Sequence, residues 1–199
     1  MKKPDENANI LTYLQWRGDL TFSQSPFCQI DSLILCCLSY LNWDGIAAGR
    51  TLSESVSLQD AIVQWNAKPE EQQITRSPLD RTLLELVSES ARFRDVRLFR
   101  YEAVFSEIRQ QQFSAVSFLL GKSTVYAAFR GTDNTLTGWR EDFNMSFLSE
   151  TPSQQAAAAY LRSLLETDLQ HVLVGGHSKG GNLAVYAAAH APELFLSKV

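Results

Sequence analysis

The chain has 199 residues, 45% hydrophobic and 20% charged, which suits one globular domain with a sizeable core. Its formal net charge of −4 and the scatter of its Lys and Arg residues leave no basic stripe, so nucleic-acid binding is disfavoured. No apolar run approaches a membrane span, and the start, MKKPDENANI, lacks the apolar stretch of a signal peptide, so a cytoplasmic protein is expected. Cys28, Cys36 and Cys37 form an odd set with an adjacent pair in an apolar segment, the pattern of reduced, buried thiols. Too few Cys or His residues stand near them for a metal set, and no cofactor is expected.

Residues 9–27 are mixed and aromatic, with Trp16, Phe22 and Phe27 separated by Gly18 and Pro26, and read as an ordered N-terminal arm. Residues 30–41, IDSLILCCLSYL, predict a buried helix capped by Asp31 or Ser32, with Leu33, Ile34, Cys37, Leu38 and Leu41 on one side and Gly45 and Gly49 ending it. Residues 57–60, SLQD, open a second helix by side-chain capping, and residues 77–80, SPLD, open a third with proline at its first position. Leu79, Leu83, Leu84 and Val87 are its expected core stripe, and the charged residues 68–76 between the two helices read as a solvated linker.

After Phe93 the period changes from helical to alternating. Residues 96–101 and 113–120 predict strands, and Gly121-Lys122-Ser123 turns the second into a third at 124–129, an antiparallel start to a sheet. A helix over 154–169 then leads to a strand at Val172, as in a parallel crossover. The fold class expected is α/β, with a mostly parallel sheet, an antiparallel start and an N-terminal helical region. Residues 1–92 supply the arm and helices of a single domain, and residues 93–199 its core sheet up to and just past the last helix.

The chemistry concentrates at the end of that sheet. Val172-Leu173-Val174 is a short apolar run, then Gly176-His177-Ser178-Lys179-Gly180 has the spacing Gly-x-Ser-x-Gly, and an Ala-rich helix follows. A serine at the tip of such a strand-to-helix turn is pushed into a strained conformation, and the flanking positions must be nearly free of side chain for the backbone to close. The pattern therefore predicts Ser178 as an exposed nucleophile, with the Lys179 N–H and the helix N-terminus facing any oxyanion that forms beside it. A P-loop would need Gly-Lys-Ser/Thr in that order, which this turn lacks. Phe129-Arg130-Gly131-Thr132-Asp133 also follows a strand, so Thr132 is placed to offer an amide N–H and a hydroxyl at the same rim.

Together these two motifs resemble the lipase class 3 branch of the α/β-hydrolases, which carries a Phe-Arg-Gly-Ser/Thr strand end and a Gly-His-Ser-Leu-Gly-Gly turn. A closer resemblance is to an uncharacterised bacterial lipase-like family, through the arm Trp-Arg-Gly-Asp-Leu-Thr-Phe at 16–22 and Gly-Trp-x-Glu-Asp-Phe-Asn-Met at 138–145. The resemblance implies an α/β-hydrolase-like fold, Ser178 as nucleophile, Thr132 and Lys179 as oxyanion-hole residues, and a lid after Thr132. Lys179 stands where the lipase class 3 turn has leucine. Leu136, Trp139 and Phe143 fall at i, i+3 and i+7, which suits either a short amphipathic helix covering a small-molecule or lipid ester, or core packing.

A serine needs a base, and the chain offers only His171, His177 and His190. His190 lies about 18 Å along the helix from Ser178 at 1.5 Å per residue. His171 lies roughly 20 Å back along the strand at about 3.3 Å per residue, and His177, adjacent in sequence, is expected to pack structurally. Asp133 and Asp142 are minor candidates for the acid. In the triad order Ser, Asp/Glu, His, the acid and base would follow Val199, so the 199 residues read as a C-terminally truncated serine esterase with little activity of its own and an exposed sheet edge prone to self-association. A non-catalytic binding module with the same turn is the competing expectation.

Overall fold

The computed structural model describes residues 9–167, 169–193 and 199; the N-terminal residues 1–8 and the stretch 194–198, on which the signal-peptide and truncation expectations bear, lie outside them. In chain order come helices α1 (Ile10–Arg17) and α2 (Gln29–Leu38), a two-residue strand β1 (Val56–Ser57), and helices α3 (Leu58–Asn66) and α4 (Leu79–Glu89). Strands β2 (Arg97–Ser106), β3 (Gln111–Leu119) and β4 (Thr124–Phe129) follow, then helices α5 (Leu136–Asn144) and α6 (Pro152–Leu165), strand β5 (His171–Gly176) and helix α7 (Lys179–Ala189). The class is α/β, with one five-stranded mixed sheet ordered β1-β2-β3-β4-β5.

The sheet differs from the expected mostly parallel one. β1 to β4 pair antiparallel, and only β4 and β5 run parallel. For β2 to β4 the reason is connection length: residues 107–110 and 120–123 are short reversals, whereas the stretch between β4 and β5 carries the helices of a parallel crossover; the two-residue β1 pairs antiparallel with β2 although α3 and α4 lie between them. The period-2 alternation was sound. Val116, Phe118, Tyr126 and Ala128 face a layer in which Ile34, Leu35, Trp65 and Leu84 from α2, α3 and α4 are buried. Phe113, Ala115, Val125, Ala127 and Phe129 face the opposite layer, where Leu161 and Leu164 of α6 and Leu183 and Ala187 of α7 pack.

Several local expectations change. Helix α2 is entered from Cys28, and Asp31 is its third residue, accepting the Cys28 amide at 2.8 Å. It stops at Leu38 rather than Leu41, where the buried Trp43 indole donates to the Leu38 carbonyl at 2.9 Å and takes up the helix end. Ser57 caps α3 as expected, accepting the Asp60 amide at 3.1 Å. Leu79, placed in the core stripe of α4, is the first residue of that helix and 60% exposed; the buried stripe is Leu83, Leu84 and Val87. Leu79→Ser will therefore change unfolding free energy by no more than about 0.5 kcal/mol in urea titration, as surface substitutions do.

Helix α6 starts earlier than residue 154, at Pro152, because Thr151 and Gln154 form a reciprocal capping box, and it ends at Leu165. Of the cysteines, Cys36 is buried and Cys37 half-buried, but Cys28 is exposed at the entrance to α2; all three are free. Among the described residues no helix is long and apolar enough to cross a membrane.

Candidate active site

Parallel pairing of β4 with β5 aligns Phe129 with Gly176, so the chain leaves both strands at the same rim of the sheet. Beyond Gly176 the backbone pivots on Ser178, whose φ of 57° and ψ of −124° lie in a region that residues with a Cβ rarely adopt. Two close approaches hold that pivot. A Cβ on Gly176 would lie 2.2 Å from the Gly180 carbonyl, and one on Gly180 would lie 2.0 Å from the carbonyl oxygen of Phe129. Only hydrogen fits at either position, so the Gly-x-Ser-x-Gly spacing is the means by which turn, helix α7 and the end of β4 touch. Ser178 itself is exposed.

The loop after β4 folds against this turn. A Cβ on Gly131 would sit 2.2 Å from the Tyr40 hydroxyl and 2.4 Å from the His177 carbonyl oxygen, so the loop passes directly over the residue before Ser178. The amides of Arg130 and Asp133 donate to Ser114 O and Gln112 Oε1, and those of Gly180 and Gly181 to His177 O and Ser178 O. Among the described residues the amides of Thr132 and Lys179 have no such partner. The Thr132 hydroxyl, expected as a second donor, is committed: it donates to Asp142 Oδ2, and a hydroxyl has one proton to give. Only the Thr132 amide remains free. Among the described residues Asp142 Oδ1 is buried without a partner, and Asp133 pairs with Arg130 at 3.7 Å.

Ser178, Thr132, Asp142, His177 and Trp139 line a cleft of about 550 Å³ whose far wall comes from Ile74, Thr75 and Arg76. Residues 68–76, read as a solvated linker, therefore contribute to the site, because the turn before α4 folds back over Tyr40. Arg76 lies 4.9 Å above the Tyr40 ring and places Nη1 3.1 Å from His177 Nδ1, which also meets the Tyr40 hydroxyl at 2.9 Å. A guanidinium can only donate, so His177 Nδ1 accepts and the proton is on Nε2. Burial and the Arg76 charge both push the imidazole pKa down, keeping it neutral. Its Nδ1 lone pair is spent on structure. His171 is exposed at the start of β5, and His190 stacks on Tyr186 with centroids 3.9 Å apart at the end of α7.

Helix α5 turns Leu136, Trp139 and Phe143 outward, and all three are exposed, which removes core packing as their role. Trp139 borders the Ser178 cleft; Leu136 and Phe143 line a separate surface groove with Phe147. The buried face of α5 consists instead of Thr137, Gly138 and Glu141. Glu141 forms an ion pair with Lys179 at 3.0 Å, both side chains being sealed from solvent. Sequence reasoning missed Glu141, Gln112, Tyr40 and Arg76; the one signal available was the acidic Glu-Asp pair inside an otherwise amphipathic segment.

Among the described residues no group of three or more His, Cys, Asp or Glu side chains is placed to hold a metal ion. A family model described as Mbeg1-like matches residues 87–199, more than half of the chain. No curated protein and no solved structure matches it. The resemblance to lipase class 3 is corrected by this finding, and the lipase-like and hydrolase labels have no support from family membership: short turn motifs recur across families because backbone closure demands the same glycines in each.

Proposed function

The chain belongs to the Mbeg1-like family, and we propose that it cleaves carboxylic esters through an acyl-serine intermediate at Ser178. The observation that carries this reading is the strained, exposed Ser178 on a strand–turn–helix at the rim where β4 ends, with two unpartnered amides beside it. Ser178 Oγ would attack the carbonyl carbon, and the displaced electron pair would rest on the carbonyl oxygen between the Thr132 and Lys179 amides. The Ser178 proton would pass to solvent or an added base. Collapse of the oxyanion would break the C–O bond to the alkoxide, which takes a proton from the same source and leaves as alcohol. Water would then attack the acyl-Ser178 ester to release the acid and restore the hydroxyl. Each such donor is typically worth a factor of 10² to 10³ in rate, about 2.7–4 kcal/mol.

The reading also specifies a weakness. Among the described residues no histidine contacts Ser178 Oγ, and loss of the base in a serine triad lowers kcat by about a million-fold. Turnover by these residues alone should be slow, and an added base should help because Ser178 is open to solvent. Incubation of the 199-residue protein with a fluorophosphonate probe, with and without millimolar imidazole, is the test. One adduct, mapped to Ser178 and formed faster with imidazole, is expected. Absence of an adduct, or adducts spread over other serines, would sink the reading.

The missing contact also favours a second reading, a binding module that retains the turn without chemistry. It predicts no adduct with or without imidazole.

A further inference from the structure

Lys179 is the first residue of α7, yet its side chain runs inward to a site with no access to solvent. Its ammonium donates to Gln112 O at 2.6 Å, Gln112 Oε1 at 2.8 Å and Glu141 Oε2 at 3.0 Å, which uses all three of its protons. Glu141 is equally saturated. It accepts the Gln112 amide at 2.9 Å and the Ser153 hydroxyl at 2.7 Å on Oε2, and the Ser153 amide at 2.9 Å on Oε1. Strand β3, helix α5 and the start of α6 therefore converge on the root of the Ser178 turn.

The Gln112 carboxamide does something further. Its Oε1 accepts the Asp133 amide at 3.3 Å as well as the Lys179 ammonium, so one oxygen bridges the loop carrying Thr132 to the helix carrying Lys179. The loop is also pressed on α5, since a Cβ on Gly138 would meet Asp133 Oδ1 at 2.9 Å, Thr132 Cγ2 at 3.0 Å and Gln112 Oε1 at 3.2 Å. We infer that Gln112 is a positioning residue which, through the buried Lys179–Glu141 pair, sets the spacing between the Thr132 and Lys179 amides. The inference rests on the acyl-transfer reading for its catalytic meaning but not for its structural content. It also accounts for a charged residue at a position flanking a nucleophile: the head group of Lys179 ties the two donor-bearing segments together, while its backbone amide is one of the donors.

The experiment pairs two readouts on the 199-residue protein. Gln112→Met removes the shared acceptor while leaving the Lys179–Glu141 contact and the Gln112 backbone in place. Lys179→Met combined with Glu141→Leu removes both buried charges together, a replacement that folded cores commonly tolerate. Amide hydrogen exchange at residues 131–135 is expected to rise about tenfold in each variant, without a matching rise in the core strands. In fluorophosphonate labelling, the maximal rate at Ser178 should fall about tenfold while the probe concentration for half-saturation stays put, as when reacting groups are displaced rather than binding lost.

Exchange at 131–135 within twofold of wild type in either folded variant would overturn the inference, as would a uniform rise across the chain. If Gln112→Met does not fold, the paired variant decides. If wild-type Ser178 takes no probe, the acyl-transfer reading fails and the exchange result alone judges the clamp.

Discussion

Replacing Arg92 with methionine will lower the unfolding free energy by about 3–5 kcal/mol, the range seen when one partner of a buried ion pair is removed. Arg92 and Asp31 have side chains 1% and 0% exposed and meet through two bonds, Nε to Oδ1 at 2.7 Å and Nη2 to Oδ2 at 2.6 Å. The remaining guanidinium protons go to the carbonyls of Leu20, Ser25 and Pro26 at 2.9, 3.0 and 3.1 Å, and the group lies 4.3 Å over the Phe22 ring. Arg92 therefore clasps the N-terminal arm, and its backbone amide adds a bond to Gly18 O at 3.0 Å. Together with the packing of Phe22 on Phe27 and Phe93, this side chain holds the Trp-Arg-Gly-Asp-Leu-Thr-Phe arm to the fold, and its loss strands the buried Asp31 carboxylate and three part-buried carbonyls.

The same pair makes stability pH-dependent. Burial alone would raise the Asp31 carboxyl, but Arg92, the Cys28 amide and the Tyr13 hydroxyl together hold it below the usual carboxylate value. A depressed folded-state pKa contributes stability that is fully present above the unfolded value, about 3.9, and is lost as pH falls through the folded one. Urea unfolding of wild type should weaken below about pH 4, and the Asp31→Leu, Arg92→Met double variant should lose less on the same acidification. A loss under about 1 kcal/mol for Arg92→Met at neutral pH would refute the clasp.

Gly180→Ala will disrupt the turn outright. The added methyl would lie 2.0 Å from the Phe129 oxygen and 2.8 Å from its carbonyl carbon, both backbone atoms of a central strand that cannot give way cheaply. Overpacking of this kind lowers stability by about 1–3 kcal/mol or more, and relief would come by lifting α7 from β4. Separating them parts the Lys179 amide from the Thr132 loop, so labelling at Ser178 should fall to background even in molecules that stay folded. Gly181→Ala is the contrast: its nearest neighbour is the Gly176 oxygen at 3.3 Å, and alanine is the better helix former by about 1 kcal/mol, so both stability and labelling should survive. Equal behaviour of the two variants, by thermal melt and probe labelling, would mean that the Gly180 contact does not hold the turn.

The turn around Ser178 was legible because its chemistry is local. Two glycines, a serine and an apolar strand before an Ala-rich helix specify a backbone path within a dozen residues, and the strained φ at Ser178 is where that reading pointed. The alternation in 113–120 and 124–129 likewise carried the two faces of the sheet, since strand side chains alternate whatever they pack against. By contrast, sequence reasoning assigned a role only to the backbone amide of Lys179, and nothing in its neighbours revealed the side-chain partners Gln112, 67 positions away, and Glu141, 38 positions away. Arg76 was placed in a solvated linker, although its guanidinium reaches His177 across 101 positions.

Propensity, periodicity and turn closure are properties of neighbouring residues, and from them the chain alone determined its α/β class, the four longer strands of the sheet and the position of the strained serine. The direction in which strands pair, the partners of buried charges and the walls of the cleft are settled by groups far apart in the chain. Leaving a buried charge unpaired is costly, so Arg92 with Asp31 and Lys179 with Glu141 find partners once the layers close, and only the tertiary structure says which partners they are.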